Sequence, residues 1–141
     1  MNVTMDKKKV YVGCSLNQAP ADFRQMVSDF KDQLRAEGYE VLEFVGVTGG
    51  TPKDVYETDI NCVRSCQAFI AVCDLPSLGL GQEIQEAIHL GTPTLVVGHV
   101  DANVSRMVIG AAEIESTVTF VRYENLADVI PLVAELFTPV T

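Results

Sequence analysis

Three side chains, those of Glu83, Asp59 and Tyr11, could together carry out acid–base and nucleophilic chemistry. They come from three different predicted elements, each of which would bring its side chain to the carboxyl edge of one parallel sheet. Two carboxylates beside a phenol suit the cleavage of a glycosidic bond. One carboxylate attacks or stabilises the anomeric carbon, and the other handles the proton.

The segment that leads to Glu83 is the most informative part of the chain. An apolar strand over 69–74 passes through a Gly-rich turn into a helix predicted over 81–90, whose first turn carries Glu83. Glycines let the backbone approach a ligand, and a helix N-terminus offers unpaired N–H groups to an anion. A glutamate in a first helical turn can equally complement the helix macrodipole, so this segment alone leaves a capping role open.

Asp59 lies on the apolar face of a helix predicted over 53–65, four residues after Val55 and four before Val63. A carboxylate on a buried face is costly unless it is paired or lines a site, and we expect burial to raise its pKa. Pairing with a neighbouring helix is the alternative. The Tyr11 hydroxyl also needs a partner if it is buried, although a tyrosine in a strand is more often a packing residue.

Five apolar segments alternate with helical patterns, which predicts an α/β fold built from βαβ units. We expect a flavodoxin-like open parallel five-stranded sheet with helices on both faces. Residues 1–141 should form a single domain, with 1–7 flexible. Strands are expected over 9–14, 40–45, 69–74, 92–100 and 118–123, and a closing helix over 126–137.

Composition excludes several classes of function. The net charge of −9 argues against a nucleic-acid partner, since the only basic run, residues 7–9, is explained by the solvated start of a strand. No apolar stretch is long enough to span a membrane, and the first residues lack an apolar signal core, so a cytoplasmic location is expected. Four cysteines without a Cys-x-x-Cys pair, and only two histidines, do not predict a metal site.

Four segments carry a resemblance to a known family. They read Tyr-Val-Gly-Cys-Ser at 11–15, Tyr-Glu-Thr-Asp-Ile at 56–60, Asp-Leu-Pro-Ser-Leu-Gly-Leu-Gly-Gln-Glu-Ile at 74–84 and Ser-Arg-Met-Val-Ile-Gly-Ala at 105–111. In order and spacing they resemble the nucleoside 2-deoxyribosyltransferase superfamily over nearly the whole chain. The resemblance implies a flavodoxin-like fold and cleavage of the N-glycosidic bond between a nucleobase and (deoxy)ribose, without a metal or redox cofactor.

The resemblance also implies roles for individual residues. Glu83 matches the nucleophile that forms a covalent sugar–enzyme intermediate, Asp59 the carboxylate near the base, and Tyr11 the tyrosine that orients the nucleophile. Ser105 matches a segment that reaches the sugar 5′ end in the neighbouring subunit, which implies a homo-oligomer, a dimer or larger. The expected substrate-binding residues are Gly13, Cys14, Ser15, Asn17, Ser77, Gly79, Gly81, Ser105 and Arg106.

The residue at Ser77 separates two branches of the superfamily. It is typically acidic in base-exchanging transferases, where it contacts the sugar 5′-hydroxyl, and a serine in 2′-deoxynucleoside 5′-monophosphate N-hydrolases. A hydroxyl beside glycine N–H groups can donate to a phosphate that a carboxylate would repel, so Ser77 favours a monophosphate substrate and hydrolysis. The glycine and arginine that hold phosphate in those hydrolases are here Cys14 and Asn17, and Arg106 could supply the lost charge.

The sequence therefore predicts an enzyme that cleaves the N-glycosidic bond of a (deoxy)nucleoside or its 5′-monophosphate through a sugar–Glu83 intermediate. A base-exchanging deoxyribosyltransferase, which needs an acceptor base for turnover, is the alternative within the same chemistry. The residues at Cys14, Asn17 and Gln82 keep open a non-catalytic nucleotide-binding sensor. A flavodoxin-like electron carrier would suit the acidic charge, but the chain has no tryptophan and no obvious phosphate loop after the first strand.

Overall fold

The computed structural model describes residues 6–17, 19–43 and 50–138. Strands and helices alternate along these ranges, as the hydrophobic pattern predicts. The strands are β1 Lys9–Cys14, β2 Glu40–Leu42, β3 Ala68–Val72, β4 Thr94–His99 and β5 Val118–Tyr123. The helices are α1 Ala21–Ala36, α2 Pro52–Ser65, α3 Leu78–Leu90, α4 Arg106–Ile114 and α5 Ile130–Glu135, the last preceded by a 3₁₀ turn over Leu126–Val129.

The five strands form one parallel sheet in the order β2-β1-β3-β4-β5. This is the flavodoxin-like order, and the prediction of the fold class is confirmed. The strand order reverses between β1 and β3, which pair directly, with Tyr11 opposite Phe69 and Cys14 opposite Val72. Open α/β sheets bind ligands in the crevice beyond the carboxyl ends of the strands at this point.

The hydrophobic core lies in two layers, one on each face of the sheet. Because side chains alternate along a strand, Val10 and Val12 pack into the layer with α1, and Tyr11 packs into the layer with α2 and α3. Every residue of β3 is buried, as expected for a central strand covered on both faces. This alternation places the Tyr11 side chain on the same face of the sheet as α3.

Helix α3 begins earlier than its sequence predicts, and this changes the position of Glu83. Ser77 is the N-cap residue, and its Oγ accepts a hydrogen bond from the Leu80 backbone N–H at 3.2 Å. The Gly-rich segment is therefore the first turn of the helix rather than a loop before it. Glu83 is the sixth helical residue, so the prediction that it lies in the first turn is wrong.

Other boundaries differ less from their predictions. β2 ends at Leu42, so Glu43 lies outside the strand, and the predicted positions 44 and 45 fall outside the described residues. The predicted closing helix is divided between the 3₁₀ turn and α5, where Pro131 occupies the first turn. In the described ranges, no helix is both long enough and apolar enough to cross a membrane.

Candidate active site

The centre of the site is a buried hydrogen bond between β1 and α3. The Tyr11 hydroxyl donates to Glu83 Oε2 at 2.5 Å, and the two residues are only 1% and 7% exposed. The Tyr11 ring stacks on that of Phe69, its register partner in β3, with centroids 5.5 Å apart. Packing on β3 thus fixes the phenol, and the phenol fixes one oxygen of the carboxylate.

The surroundings of Glu83 favour its protonated form more strongly than water does. The Glu83 pKa is raised to about 7, mainly by burial, while the hydrogen bond from Tyr11 lowers it and the negative charge of Asp59 adds a smaller rise. Burial, followed by the charge of Glu83, raises the pKa of Tyr11 well above its ordinary value, so the phenol stays a neutral donor. A carboxylate with a pKa near neutrality is a stronger base and nucleophile than a solvated glutamate.

A cavity of about 490 Å³ opens above this pair at the carboxyl ends of β1 and β3, within the usual size range of small-molecule sites. Asp59 of α2 lines the same cavity, so the structure brings together the three side chains that the sequence places at one sheet edge. The described lining residues are Tyr11, Cys14, Ser15, Leu16, Asn17, Gly50, Pro52, Val55, Tyr56, Asp59, Ile60, Ser77, Gly79, Leu80, Gln82 and Glu83.

Helix α2 supplies an apolar wall beside Asp59. The sequence predicts only part of this wall. The helix starts with a capping box in which Thr51 and Asp54 each accept a hydrogen bond from the other's backbone N–H. Helical spacing then puts Pro52, Val55, Tyr56 and Ile60 on the face that carries Asp59. Tyr56 lies three residues before Asp59 and Ile60 lies four residues after Tyr56, and this spacing was the available signal for both.

Five of the nine predicted substrate-binding residues line the cavity, namely Cys14, Ser15, Asn17, Ser77 and Gly79. Gly13 does not, because its role is close packing. A Cβ there would come within 2.9 Å of the Phe69 ring and 3.0 Å of a Leu80 methyl group. The prediction that Gly13 binds substrate is therefore not supported by its position.

The other three predicted residues also lie away from the cavity. Gly81 and Ser105 line a second, more apolar groove of about 510 Å³ between α3 and α4, which shares Ser77 and Leu80 with the first. Arg106 is exposed at the start of α4 and is not among the described residues that line either space. Within one chain, Arg106 does not supply the cavity with charge.

The capping interpretation of Glu83 is wrong. The first turn of α3 contains no acidic residue, and the influence of the helix dipole falls off within that turn. Neither Gly79 nor Gly81 has a positive φ, so both belong to the regular helix. Of the two, only Gly79 lines the cavity, where the missing side chain leaves room for a ligand.

Charge in the cavity is of one sign. Asp59 and Glu83 are its carboxylates, and no described residue that lines it is lysine, arginine or histidine. The residues outside the described ranges include no basic residue either. Among the described residues, no group of three or more histidine, cysteine, aspartate or glutamate side chains could hold a metal ion.

Comparison with known proteins identifies the family. No family model matches the chain. A protein of Methanococcoides burtonii named "Putative 2'-deoxynucleoside 5'-phosphate N-hydrolase 1" is 35% identical over 85 residues, which are 55% of this chain and 70% of that protein. A Syntrophotalea carbinolica protein of the same name is 29% identical over 117 residues, covering 80% of this chain and 73% of the relative.

Solved structures show the same fold. The CMP N-glycosidase BcmB of Clostridium botulinum aligns with a TM-score of 0.67 at 20% identity, over 90% of this chain and 99% of that one. A 2-deoxyribosyltransferase of Leishmania mexicana aligns with a TM-score of 0.58 at 15% identity, over 95% and 88% of the two chains. The fold and site define an α/β protein with a carboxylate site at the switch point of its sheet. The chain belongs to the nucleoside 2-deoxyribosyltransferase superfamily of enzymes.

Proposed function

We propose that this enzyme cleaves the N-glycosidic bond of a (deoxy)nucleoside or its 5′-monophosphate through a covalent intermediate between the sugar and Glu83. The observation that carries the proposal is the buried Tyr11–Glu83 hydrogen bond, which faces Asp59 across one cavity. Retaining glycosidases need such a pair of carboxylates, one as nucleophile and one to handle protons. The curated relatives carry names that describe 5′-phosphate N-hydrolases, and these names support the same chemistry.

In the first step, Glu83 attacks the anomeric carbon of the sugar. Tyr11 donates to Oε2, so Oε1 is the oxygen available to form the new C–O bond. The C–N bond breaks as this bond forms, its electron pair passes to the base nitrogen, and Asp59 with its surroundings delivers or holds the proton that the departing base takes up. Burial of Glu83 removes the water that would otherwise solvate and weaken the nucleophile.

In the second step, water attacks the same carbon and the bond to Glu83 breaks, which restores the carboxylate. The group that gave a proton to the base now takes one from water, as reversibility of the acid–base step requires. A second nucleobase in place of water would give base exchange, the reaction of a deoxyribosyltransferase. The lining residues of the cavity are compatible with either acceptor.

Recognition of a 5′-phosphate would fall to the N-terminus of α3 and the segment after β1. The Ser77 hydroxyl accepts from Leu80, which leaves its own proton free to donate to a phosphate oxygen. The first N–H groups of α3 have no partner within the helix and lie beside Gly79. Ser77 therefore favours monophosphate hydrolysis over base exchange.

Ser105 and Arg106 would act in a homo-oligomer rather than within one chain. Leu78 and Met107, which line the second groove with Ser105, are 91% and 85% exposed. Large apolar side chains exposed to this degree are typical of surfaces that another protein covers. Sedimentation of the purified protein would test this part of the proposal.

The enzyme is tested by incubation with matched nucleosides and 5′-monophosphates, with and without a free acceptor base. Chromatography then measures the released base and any new nucleoside. Base release from the monophosphate without an acceptor supports hydrolysis, and release only with an acceptor supports the transferase. If Glu83→Gln released base as fast as the wild type, the covalent mechanism would be wrong.

A further inference from the structure

The charge of the cavity creates a difficulty for a phosphate substrate. Asp59 and Glu83 both line it, and no lysine, arginine or histidine side chain does so among the described residues. Anionic groups repel one another strongly where water is partly excluded. A 5′-phosphate, if it binds as proposed above, therefore needs a source of positive charge outside the lining residues.

Lys31 of α1 is a buried cation at the correct edge of the sheet. It is 8% exposed, and among the described residues it is the only buried lysine, arginine or histidine. Its Nζ lies 3.5 Å from Glu43 Oε2, and Glu43 directly follows Leu42, the register partner of Tyr11. The Glu43 carbonyl in turn accepts from the Cys62 thiol at 3.2 Å. The ammonium group thus lies near the carboxyl end of β2, next to β1.

The field of Lys31 reaches the polar end of the cavity. Burial raises the pKa of the Cys14 thiol to about 11, and Lys31 opposes that rise. Cys14 lines the cavity and precedes Ser15 and Asn17, the polar lining residues of the same segment. Glu83 is governed instead by burial, Tyr11 and Asp59. Lys31 is not among the groups that shift the pKa of Glu83, so its charge acts on Cys14 rather than on the nucleophile.

We propose that Lys31 determines specificity for the 5′-phosphate, by placing positive charge behind Cys14 in a cavity that has no lining cation. An ammonium group is costly to bury, and its Glu43 partner is itself more than half exposed, so the pair gives little stability in return. Lys31 acts through space and does not touch the reacting atoms, so it is a specificity-determining residue rather than a catalytic one. This inference rests on the proposed nucleotide substrate.

The test measures binding in the Glu83→Gln background, so that no substrate is consumed. Titration calorimetry would compare a 2′-deoxynucleoside 5′-monophosphate, the matching nucleoside and ribose 5-phosphate. Lys31→Met should raise Kd for both phosphate ligands by about tenfold and change Kd for the nucleoside by less than about twofold. Lys31→Arg, which keeps the charge, should restore phosphate binding.

Arg35 provides a matched control. It lies one turn further along α1 and pairs with the same Glu43 carboxylate, but its side chain is 41% exposed. Arg35→Met removes a positive charge and a Glu43 partner without emptying the buried position, and should leave all three Kd values unchanged. Lys31→Gln, which keeps a polar stem, serves as the second variant if Lys31→Met lowers Tm.

Three results would overturn the proposal. One is equal weakening of the nucleoside and the monophosphate by Lys31→Met, and another is an equal effect of Arg35→Met on the monophosphate. The third, measured with Lys31→Met in the presence of native Glu83, is a shift in the pH midpoint of turnover for every substrate, which would show that Lys31 acts on the ionisation of Glu83 instead. The proposed function fails by a different measurement, namely absence of base release by the wild type, so the two failures are distinguishable.

Discussion

The Tyr11 hydroxyl and the Glu83 carboxylate are 72 residues apart in the chain and joined by a buried hydrogen bond of 2.5 Å. The bond uses one carboxylate oxygen, and Glu83 lines the cavity together with Asp59. It also opposes the effect of burial on the Glu83 pKa. One contact therefore orients the proposed nucleophile and limits the rise in its pKa.

Replacing Glu83 with alanine should abolish turnover while the protein stays folded. The proposed mechanism has no other nucleophile, so we expect base release to fall by roughly three orders of magnitude or more. Base release by chromatography and Tm by calorimetry are the measurements. Gln85→Ala, an exposed change on the same helix, is the control and should keep the wild-type rate. Wild-type activity in Glu83→Ala would remove Glu83 from the mechanism.

Asp59→Asn should slow base release by roughly two to four orders of magnitude if Asp59 holds or moves a proton in the transition state. Its stability should change little, because Asp59 is only half-buried rather than buried as the sequence predicts, and an amide costs less to bury than a carboxylate. Pre-steady-state base release and urea unfolding would measure the two effects. Glu57→Gln, an exposed carboxylate of α2, is the control. A large loss of stability with little loss of rate would make Asp59 a structural residue instead.

The rate should increase with pH through about 7, because attack requires the Glu83 carboxylate and burial raises its pKa to that value. Tyr11→Phe removes the hydrogen bond that lowers this pKa, so its kcat/KM profile should have a midpoint at higher pH. The profile of kcat/KM against pH for both proteins is the measurement. A midpoint that stayed in place in Tyr11→Phe would show that the phenol does not control the ionisation of Glu83.

Stability should depend on the same ionisation. The folded-state pKa of Glu83 is raised from 4.5 to about 7, so its contribution is fully present below about pH 4.5 and is lost as pH rises through 7. The wild type should therefore lose on the order of 3 kcal/mol relative to Glu83→Gln between pH 4.5 and pH 8. Urea unfolding of both proteins across this range is the measurement. Parallel stability curves would contradict the raised pKa.

Ser77→Asp should reverse a preference for monophosphates, because a carboxylate there would repel the phosphate. Aspartate is also a good N-cap residue, so α3 should remain intact. KM for a nucleoside and its monophosphate, measured side by side, tests this. Ser77→Ala separates the effect of added negative charge from the loss of the hydroxyl, since it removes the cap at a cost of about 1 kcal/mol without adding charge. Equal turnover of both substrates by the wild type would contradict phosphate recognition.

The sequence by itself determined the elements and the candidate chemistry. Alternating apolar and helical patterns predicted each strand of the described sheet, because a buried parallel strand must be apolar along its length. The motif around Glu83 also predicted which residue would lie at the centre of the site. The sequence places the start of α3 too late, because glycines disfavour helix formation in isolation. Only the Ser77 cap shows that the helix includes them.

The tertiary structure decided which predicted residues share a surface. The sequence predicts that Gly13, Gly81, Cys14 and Ser77 all bind substrate, yet only Cys14 and Ser77 line the cavity. Lys31 carries no motif, and its proximity to Glu43 depends on how α1 packs beside β2. Local sequence specifies elements through short-range periodicity, whereas burial and electrostatic neighbours depend on contacts between segments that are distant in the chain.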